Sequence, residues 1–186
     1  MKAGIQLEVL EAAYNSPFET LKAKAQAYEQ SLYSGGDELA PFKMSLWGGD
    51  RKAGEKVFLE KVETQCVRCH KWKGQGGDVG PAMDGIAKKQ SREYLLESVV
   101  LPSKKIAEGF ENLVIRTKDG GYYAGMFKKE TDTELTINAP EEGLTTIKKA
   151  DIESREQGLS GMPAGMGYIL SKRELRDLMA FLTSLK

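Results

Sequence analysis

Apolar side chains recur at helical spacing in two successive segments at the start of the chain, residues 3–14 and 17–32. The apolar positions of these segments are Leu7, Leu10, Tyr14, Phe18, Leu21, Ala25, Tyr28 and Leu32. Ser16, with a glutamate three positions later, predicts a capping box at the start of the second helix, and Gly35 predicts its end. The pattern therefore predicts an N-terminal helical hairpin within residues 1–46, whose apolar stripes pack on the rest of the chain.

Helical periodicity returns in the second part of the chain, from about residue 47. A short amphipathic helix is predicted to begin after Asp50, a second helix begins at Ser91 and is ended by Pro102, and a strongly amphipathic helix begins at Ser171 and runs to the end of the sequence. Gly54 lies on the inner face of the first of these helices. Because glycine has no side chain, we expect the first and last helices to cross closely at this position.

Between these helices the period of the apolar residues changes from helical to two. The alternating segments lie near residues 113–117, 122–127, 134–138 and 144–147, and Asp119-Gly120-Gly121 predicts a hairpin turn between the first two. The helical pattern resumes afterwards. The sequence therefore predicts a mainly α fold, with a helical domain over residues 47–186 and a small antiparallel β insertion of four strands over residues 111–147.

Composition and charge say little about partners. Lys and Arg number 27, as do Asp and Glu, so the chain has no net charge and offers no case for nucleic acid or an anionic membrane as its main partner. No apolar run approaches the length that crosses a bilayer, which predicts a chain without a membrane span, and the first residues lack an apolar segment of secretory type. A chain of 186 residues can bury a core without disulfide bonds.

Both cysteines and the single histidine of the chain stand within five consecutive residues, Cys66-Val67-Arg68-Cys69-His70. This spacing is the one that attaches haem covalently. Each thiol can form a thioether bond with one haem vinyl group, and the adjacent imidazole can then bind the iron. The motif predicts one covalently bound haem c, attached through Cys66 and Cys69, with His70 as the proximal iron ligand.

Three other interpretations of the same motif each lack a feature that they require. A structural zinc site usually needs four Cys or His ligands, and the chain has three such side chains. A thioredoxin-like dithiol is expected within a βαβ pattern, which the surrounding sequence does not show. A plain disulfide across two residues would be strained and would leave His70 unexplained. Haem attachment is the preferred interpretation, and a redox dithiol or a metal site remain the weaker alternatives.

The second axial ligand of the iron must be a residue other than histidine, since the chain has no further histidine. A methionine thioether is a soft ligand that stabilises ferrous iron. Met162, which precedes Pro163, and Met166 lie in one glycine-rich loop ahead of the last helix. Because this loop is pliable, the residue pattern alone leaves both sulfurs open as ligands.

Residues 49–186 resemble class I cytochrome c, and more narrowly the haem-binding domain of the Pirellula/Verrucomicrobium type. The resemblance rests on Gly54, Phe58, the haem motif, Gly76-Gly77-Asp78-Val79-Gly80-Pro81, Leu101-Pro102-Ser103-Lys104, Thr117-Lys118-Asp119-Gly120, Met162-Pro163 and the last helix. It implies a cytochrome c-like helical domain over residues 47–186 that carries a β insertion. Such domains are C-terminal modules of large exported proteins, so the hairpin would be the end of upstream helical repeats.

The same resemblance implies roles for individual residues. Met162 would be the sixth ligand, with Met166 as the alternative, and the carbonyl of Pro81 would accept a hydrogen bond from the far ring nitrogen of His70. Met83 and Ile86 would contact the haem.

The resemblance also implies a function, which is electron transfer rather than enzymatic catalysis. The haem would carry one electron to or from a redox partner protein or domain. The first alternative is a ligand-binding sensor or a peroxidase-like site, if Met162 can leave the iron. The second is that the β insertion is an interaction module and the haem a structural plug.

The expected location follows from the chemistry of attachment. Covalent haem attachment normally takes place outside the cytoplasm, so we expect a periplasmic or otherwise exported protein. No export signal is seen in the chain, so we expect either that a signal was cut away or, as the preferred interpretation, that the chain is a fragment of a longer exported protein.

Overall fold

The computed structural model describes residues 5–139 and 142–186. Its α-helices are α1 Gln6–Tyr14, α2 Glu19–Ser34, α3 Arg51–Glu60, α4 Cys66–Cys69, α5 Ile86–Lys89, α6 Arg92–Val100, α7 Met166–Ile169 and α8 Lys172–Leu182. Short 3-10 helices occupy Ala40–Ser45 and Lys149–Asp151. The strands are β1 Asn112–Thr117, β2 Tyr122–Glu130, β3 Glu134–Ala139, β4 Gly143–Lys148 and β5 Ile152–Gln157. The first predicted helix begins at residue 3, so its first two residues lie outside the described part.

The close crossing predicted at Gly54 is confirmed, and it joins α3 to α8. A Cβ atom on Gly54 would overlap the carbonyl oxygen of Asp177 and lie 2.9 Å from the amide nitrogen of Leu178. The start of α8 is fixed by the predicted capping box, in which the hydroxyl of Ser171 accepts a hydrogen bond from the amide of Glu174 and the carboxylate of Glu174 accepts one from the amide of Ser171. The two helices therefore pack backbone to backbone.

The core of the helical part is centred on Phe181 of α8, which is fully buried. The Phe181 ring lies 5.5 Å from that of Phe58 on α3 and 5.0 Å from that of Trp72, which meets it edge-on. Phe42 and Leu46, from the segment that follows the hairpin, belong to the same buried cluster. The helical core is therefore continuous with the segment that precedes α3.

The N-terminal hairpin forms as expected, but its capping differs from the prediction. The hydroxyl of Ser16 accepts a hydrogen bond from the amide of Phe18, and α2 then begins at Glu19 without a side-chain cap. The predicted capping box is therefore wrong, because Glu19 becomes the first helical residue and is too early in the helix to reach back to a cap. Phe18, Leu21 and Tyr28 of the predicted stripe are exposed, whereas Ala25 is buried.

Ion pairs attach the hairpin to α8. Arg173 binds Glu11 through two nitrogens, with Nε 2.7 Å from Oε1, and the buried Arg176 pairs with Glu8. The hydrogen bond from Arg176 lowers the pKa of the Glu8 carboxyl. Lys172 pairs with Glu29 of α2. Both helices of the hairpin therefore contact the first turns of the last helix. The division of the chain at residue 46 stays a prediction.

The predicted antiparallel sheet is present, but it has five strands rather than four, in the order β4-β3-β2-β1-β5. The sheet therefore continues beyond the predicted end at residue 147, to Gln157. Strand β5 has one apolar residue, Ile152, and so lacks the alternation that marks a strand. It is held by backbone pairing with β1, which places Leu113 opposite Gln157 and Ile115 opposite Arg155. The fold thus combines the helical domain with a larger sheet than the sequence predicts.

The sheet has a hydrophobic cluster of its own, separate from that of the helices. Its buried residues are Leu113, Ile115, Leu135, Ile137 and Ile147. None of the helices in the described part of the chain is long and apolar enough to cross a bilayer.

Candidate functional site

The two cysteines lie on α4, a single helical turn that is introduced by a left-handed residue. Gln65 has φ +45° and turns the chain into α4, and the amide of His70 donates to the carbonyl of Cys66 at 2.9 Å. Residues three positions apart share one face of a helix, so the side chains of Cys66 and Cys69 lie on the same side of this turn. Both thiols are free and half-buried. Burial raises the pKa of the Cys66 thiol, which keeps it protonated near neutral pH.

His70 follows this turn in an extended conformation, and its ring is fixed by a backbone contact. Nδ1 lies 2.8 Å from the carbonyl oxygen of Pro81, the contact that the resemblance implies. A carbonyl oxygen can only accept, so Nδ1 carries the hydrogen and Nε2 presents a lone pair. Nε2 has no hydrogen-bond partner among the described residues. Burial also lowers the pKa of His70, so the ring is neutral near pH 7, the form that binds a metal.

The segment that carries Pro81 is attached along the haem motif by backbone hydrogen bonds. The amides of Gly77, Gly80 and Met83 donate to the carbonyls of Val67, Cys69 and Lys71, at 2.9, 2.8 and 2.8 Å respectively. Glycine is required where the two segments touch. A Cβ atom on Gly76 or Gly77 would overlap a carbonyl oxygen of the motif. The imidazole is therefore positioned by two backbone segments, residues 66–71 and 76–83, that are hydrogen-bonded to each other.

Gly80 packs directly against the imidazole, and we expect Gly80→Ala to disturb the site. A Cβ atom there would lie 2.5 Å from Cε1 and 2.8 Å from Nδ1 of His70. Since these contacts are shorter than van der Waals distance, the ring or the loop must move, at a cost of about 2 kcal/mol in the free energy of unfolding. Thermal unfolding measures this loss, and the absorption spectrum of the haem-loaded protein reports the displaced ring.

The matched control for Gly80→Ala is Gly35→Ala. Gly35 ends α2 with φ −84°, and apart from its chain neighbours no atom of the described residues lies within 4 Å of its Cβ position. This variant should keep the stability and the spectrum of the wild type. Equal behaviour of the two variants would show that the Gly80 contact does not hold the ring.

The remaining predicted site residues all adjoin the helical core cluster. Met83 and Ile86 are buried within it. Met162 is half-buried and packs against it from the loop, whereas Met166 is 5% exposed and belongs to the cluster itself. Cys66 also packs against this cluster. One core therefore connects the haem motif with the segment between β5 and α7, residues 158–165, here called the methionine loop.

Met166 is held more firmly than Met162. It is the first residue of α7, and the following Gly167 is pressed against an aromatic ring, with its Cβ position 2.6 Å from Cε1 of Phe42. Met162 instead lies in irregular backbone between Gly161 and Pro163. The structure thus distinguishes a core methionine from a loop methionine, which the sequence pattern alone did not do.

Two residues to which the sequence analysis gave no role contact the methionine loop, although Ser103 belongs to a segment that carries the resemblance. The side chain of Asn112 donates to the carbonyl of Leu159, and the hydroxyl of Ser103 accepts from the amide of Ser160. These partners are separated by 47 and 57 positions along the chain. No local sequence pattern points to either contact.

These residues fit a covalently held haem. Two free thiols lie on one face of a helical turn, and the adjacent imidazole is neutral near pH 7, oriented by Pro81, and without a hydrogen-bond partner at Nε2 among the described residues. Within residues 5–139 and 142–186, no group of three or more Cys, His, Asp or Glu side chains is arranged to hold a metal ion.

Comparison with known families supports the interpretation of the motif. Residues 52–136 match the family model described as Cytochrome c, a range that runs from α3 into β3 and covers just under half of the chain. The matched range includes the haem motif and Pro81 but neither loop methionine. No curated protein matches the chain. The match supports a haem-binding c-type cytochrome domain.

Proposed function

We propose that residues 47–186 form a c-type cytochrome domain that transfers one electron through a haem attached to Cys66 and Cys69 and ligated by His70 and Met162. The observation that carries the proposal is the imidazole of His70 beside two free thiols, with Nδ1 2.8 Å from the carbonyl oxygen of Pro81 and no partner for Nε2 among the described residues. The match of residues 52–136 to the Cytochrome c model supports the haem-binding part of the proposal.

A haem bound there supplies an iron that changes between the ferrous and ferric states. The protein residues retain and orient it. Thioether bonds from Cys66 and Cys69 prevent its dissociation, and the Pro81 carbonyl raises the basicity of the imidazole by accepting the hydrogen of Nδ1. The two hydrogen-bonded backbone segments around His70 limit the movement of this ligand. This favours electron transfer, because the site then reorganises little when the iron would change its charge.

Met162 is the better of the two candidates for the sixth ligand. Its side chain is half-buried at the margin of the helical core, whereas the side chain of Met166 is buried and packs within that core. Withdrawing Met166 would open a cavity of methionine size, which typically costs about 3 kcal/mol. Because Met162 is only partly buried at the margin of this core, its withdrawal would remove less packing.

The proposed partner is another redox protein or an attached oxidoreductase domain. Cytochrome c domains generally act in electron transfer rather than catalysis, and they are typically exported. A periplasmic or otherwise exported location therefore belongs to the proposal. The balance of charge on the chain suggests that local surfaces, rather than the overall field, select the partner.

The ligation is tested with two matched variants, Met162→Leu and Met166→Leu, each made in a host with a haem-attachment system. Both remove one sulfur while conserving volume, so either should cost less than about 1.5 kcal/mol in stability. We expect Met162→Leu to lose the near-infrared charge-transfer band of ferric methionine-ligated haem and to have a lower reduction potential. Met166→Leu should keep the band. Absorption spectroscopy and voltammetry measure both properties.

The other results would each overturn a definite part of the proposal. Loss of the band in Met166→Leu alone would make Met166 the ligand. A wild-type protein that lacks the band, is high-spin and changes its spectrum on addition of cyanide would instead support the sensor or peroxidase-like alternative. Failure to undergo a reversible one-electron change would count against electron transfer.

A further inference from the structure

The β insertion begins and ends beside the loop that carries Met162. Strand β1 starts at Asn112, and β5 ends at Gln157, which lies opposite Leu113 in the antiparallel register. Gly158 is therefore the first residue beyond the paired strands, and it lies next to Asn112. The methionine loop therefore starts directly at the end of β5.

Asn112 holds two consecutive residues of this loop. Its main-chain carbonyl accepts a hydrogen bond from the amide of Gly158 at 2.7 Å, and its side-chain Nδ2 donates to the carbonyl of Leu159 at 2.8 Å. A Cβ atom on Gly158 would lie 3.2 Å from Cβ of Asn112, so the two residues approach each other closely. The side-chain bond is the only one of these interactions that depends on asparagine, since any residue provides the carbonyl.

A second contact ties the loop to the helical part of the chain. The hydroxyl of Ser103, just beyond the end of α6, accepts a hydrogen bond from the amide of Ser160 at 3.1 Å. The hydroxyl of Ser160 in turn accepts from the amide of Met162, also at 3.1 Å. Hydrogen bonds from the sheet and from the segment after α6 thus restrain residues 158–160, and a bond within the loop joins Ser160 to the main chain of Met162.

We propose that Asn112 is a positioning residue for the Met162 thioether, assisted by Ser103, and that the β insertion serves as the support on which the methionine loop is mounted. The proposal rests on the ligation by Met162 proposed above. A loop restrained at residues 158, 159 and 160 loses little further conformational entropy when its methionine binds, so the bound state is favoured. Without the Asn112 side chain, the methionine would leave the iron more often.

The test compares Asn112→Asp and Asn112→Ala with the wild type in the haem-loaded protein. Aspartate has the shape of asparagine but cannot donate to the carbonyl of Leu159, and alanine removes the group entirely. We expect the ferric protein of both variants to bind added imidazole roughly fivefold more tightly, as loss of one net hydrogen bond implies. When the pH is raised, both variants should also lose the near-infrared band at a lower pH than the wild type does.

Asn138→Asp is the matched control. Asn138 lies in the same cross-strand row, since both it and Asn112 pair with Met126, and its exposed side chain has no hydrogen bond within the described residues. This variant should bind imidazole as the wild type does. An equal effect at Asn138 and Asn112 would overturn the proposal, because the loop would then respond to any change in the sheet.

Amide hydrogen exchange separates positioning from a merely structural role. In Asn112→Asp we expect faster exchange at Ser160 and Met162, with unchanged protection in β2 and β3. Faster exchange throughout the sheet, or unchanged imidazole binding in both Asn112 variants, would overturn the positioning role while leaving Met162 as the ligand. If wild-type protein shows no methionine band, or if Met162→Leu retains it, the ligation itself fails and the role of Asn112 fails with it.

Discussion

Replacing Cys66 and Cys69 together by alanine is expected to abolish covalent haem attachment. The chain has no other cysteine that could form a thioether bond. Wild-type protein matured in a host with a haem-attachment system should keep its haem in acidified acetone, because thioether bonds survive this solvent. The double variant should release all of its haem or emerge without any. Pyridine haemochrome spectra of the precipitated protein and of the solvent measure the two fractions.

Three further variants serve as intermediates and as a control for the double variant. Cys66→Ala and Cys69→Ala should each retain one bond and show an intermediate yield of attached haem. Arg68→Ala lies between the cysteines, is exposed and removes no thiol, so its yield should equal that of the wild type. Haem that stays on the double variant, or that leaves the wild type, would refute attachment through this motif.

Gly54→Ala is expected to destabilise the protein, although alanine is the better helix former. A Cβ atom at this position would overlap the carbonyl oxygen of Asp177, so α3 and α8 must separate. Overpacking of this kind costs about 3 kcal/mol in the free energy of unfolding. For a chain of this length we expect the midpoint of thermal unfolding to fall by roughly 6–12 °C. Circular dichroism of the wild type and the variant measures the change.

The sign of the change is the decisive observation. Helix propensity alone would stabilise Gly54→Ala by about 1 kcal/mol. Gly35→Ala should leave the midpoint within a degree or two of the wild type, since apart from chain neighbours no atom of the described residues lies within 4 Å of its Cβ position. A rise in the midpoint for Gly54→Ala would show that the two helices are not in contact through their backbones.

Helix ends were predictable where a cap depends on neighbouring residues alone. Asp50, Ser91 and Ser171 each accept the expected hydrogen bond from an amide two or three residues ahead. Ser16 shows the same type of residue in another role, because its hydroxyl is satisfied by the amide of Phe18 and the helix begins later. A serine therefore indicates a turn of the chain near a helix start, but the next residues decide which amide it binds.

The sheet shows where pattern reasoning fails. The four predicted strands alternate apolar and polar residues because one face of each covers a common cluster. Strand β5, from Ile152 to Gln157, is almost entirely polar, and it owes its place to pairing with β1 about 40 residues earlier. Backbone hydrogen bonds between β5 and β1 do not depend on the side chains of β5, so the sequence pattern of β5 does not indicate a strand.

The sequence by itself determined the chemistry that depends on neighbouring residues, namely the five-residue haem motif, the capping of α8 and the need for glycine at position 54. Only the tertiary structure decided which loop methionine is used for packing, which side chains hold the loop of Met162, and how far the sheet extends. The reason is physical. Bonds within a helical turn are set by residues a few positions apart, whereas the contacts of Asn112 and Ser103 join segments that meet only after the sheet and the helices have packed.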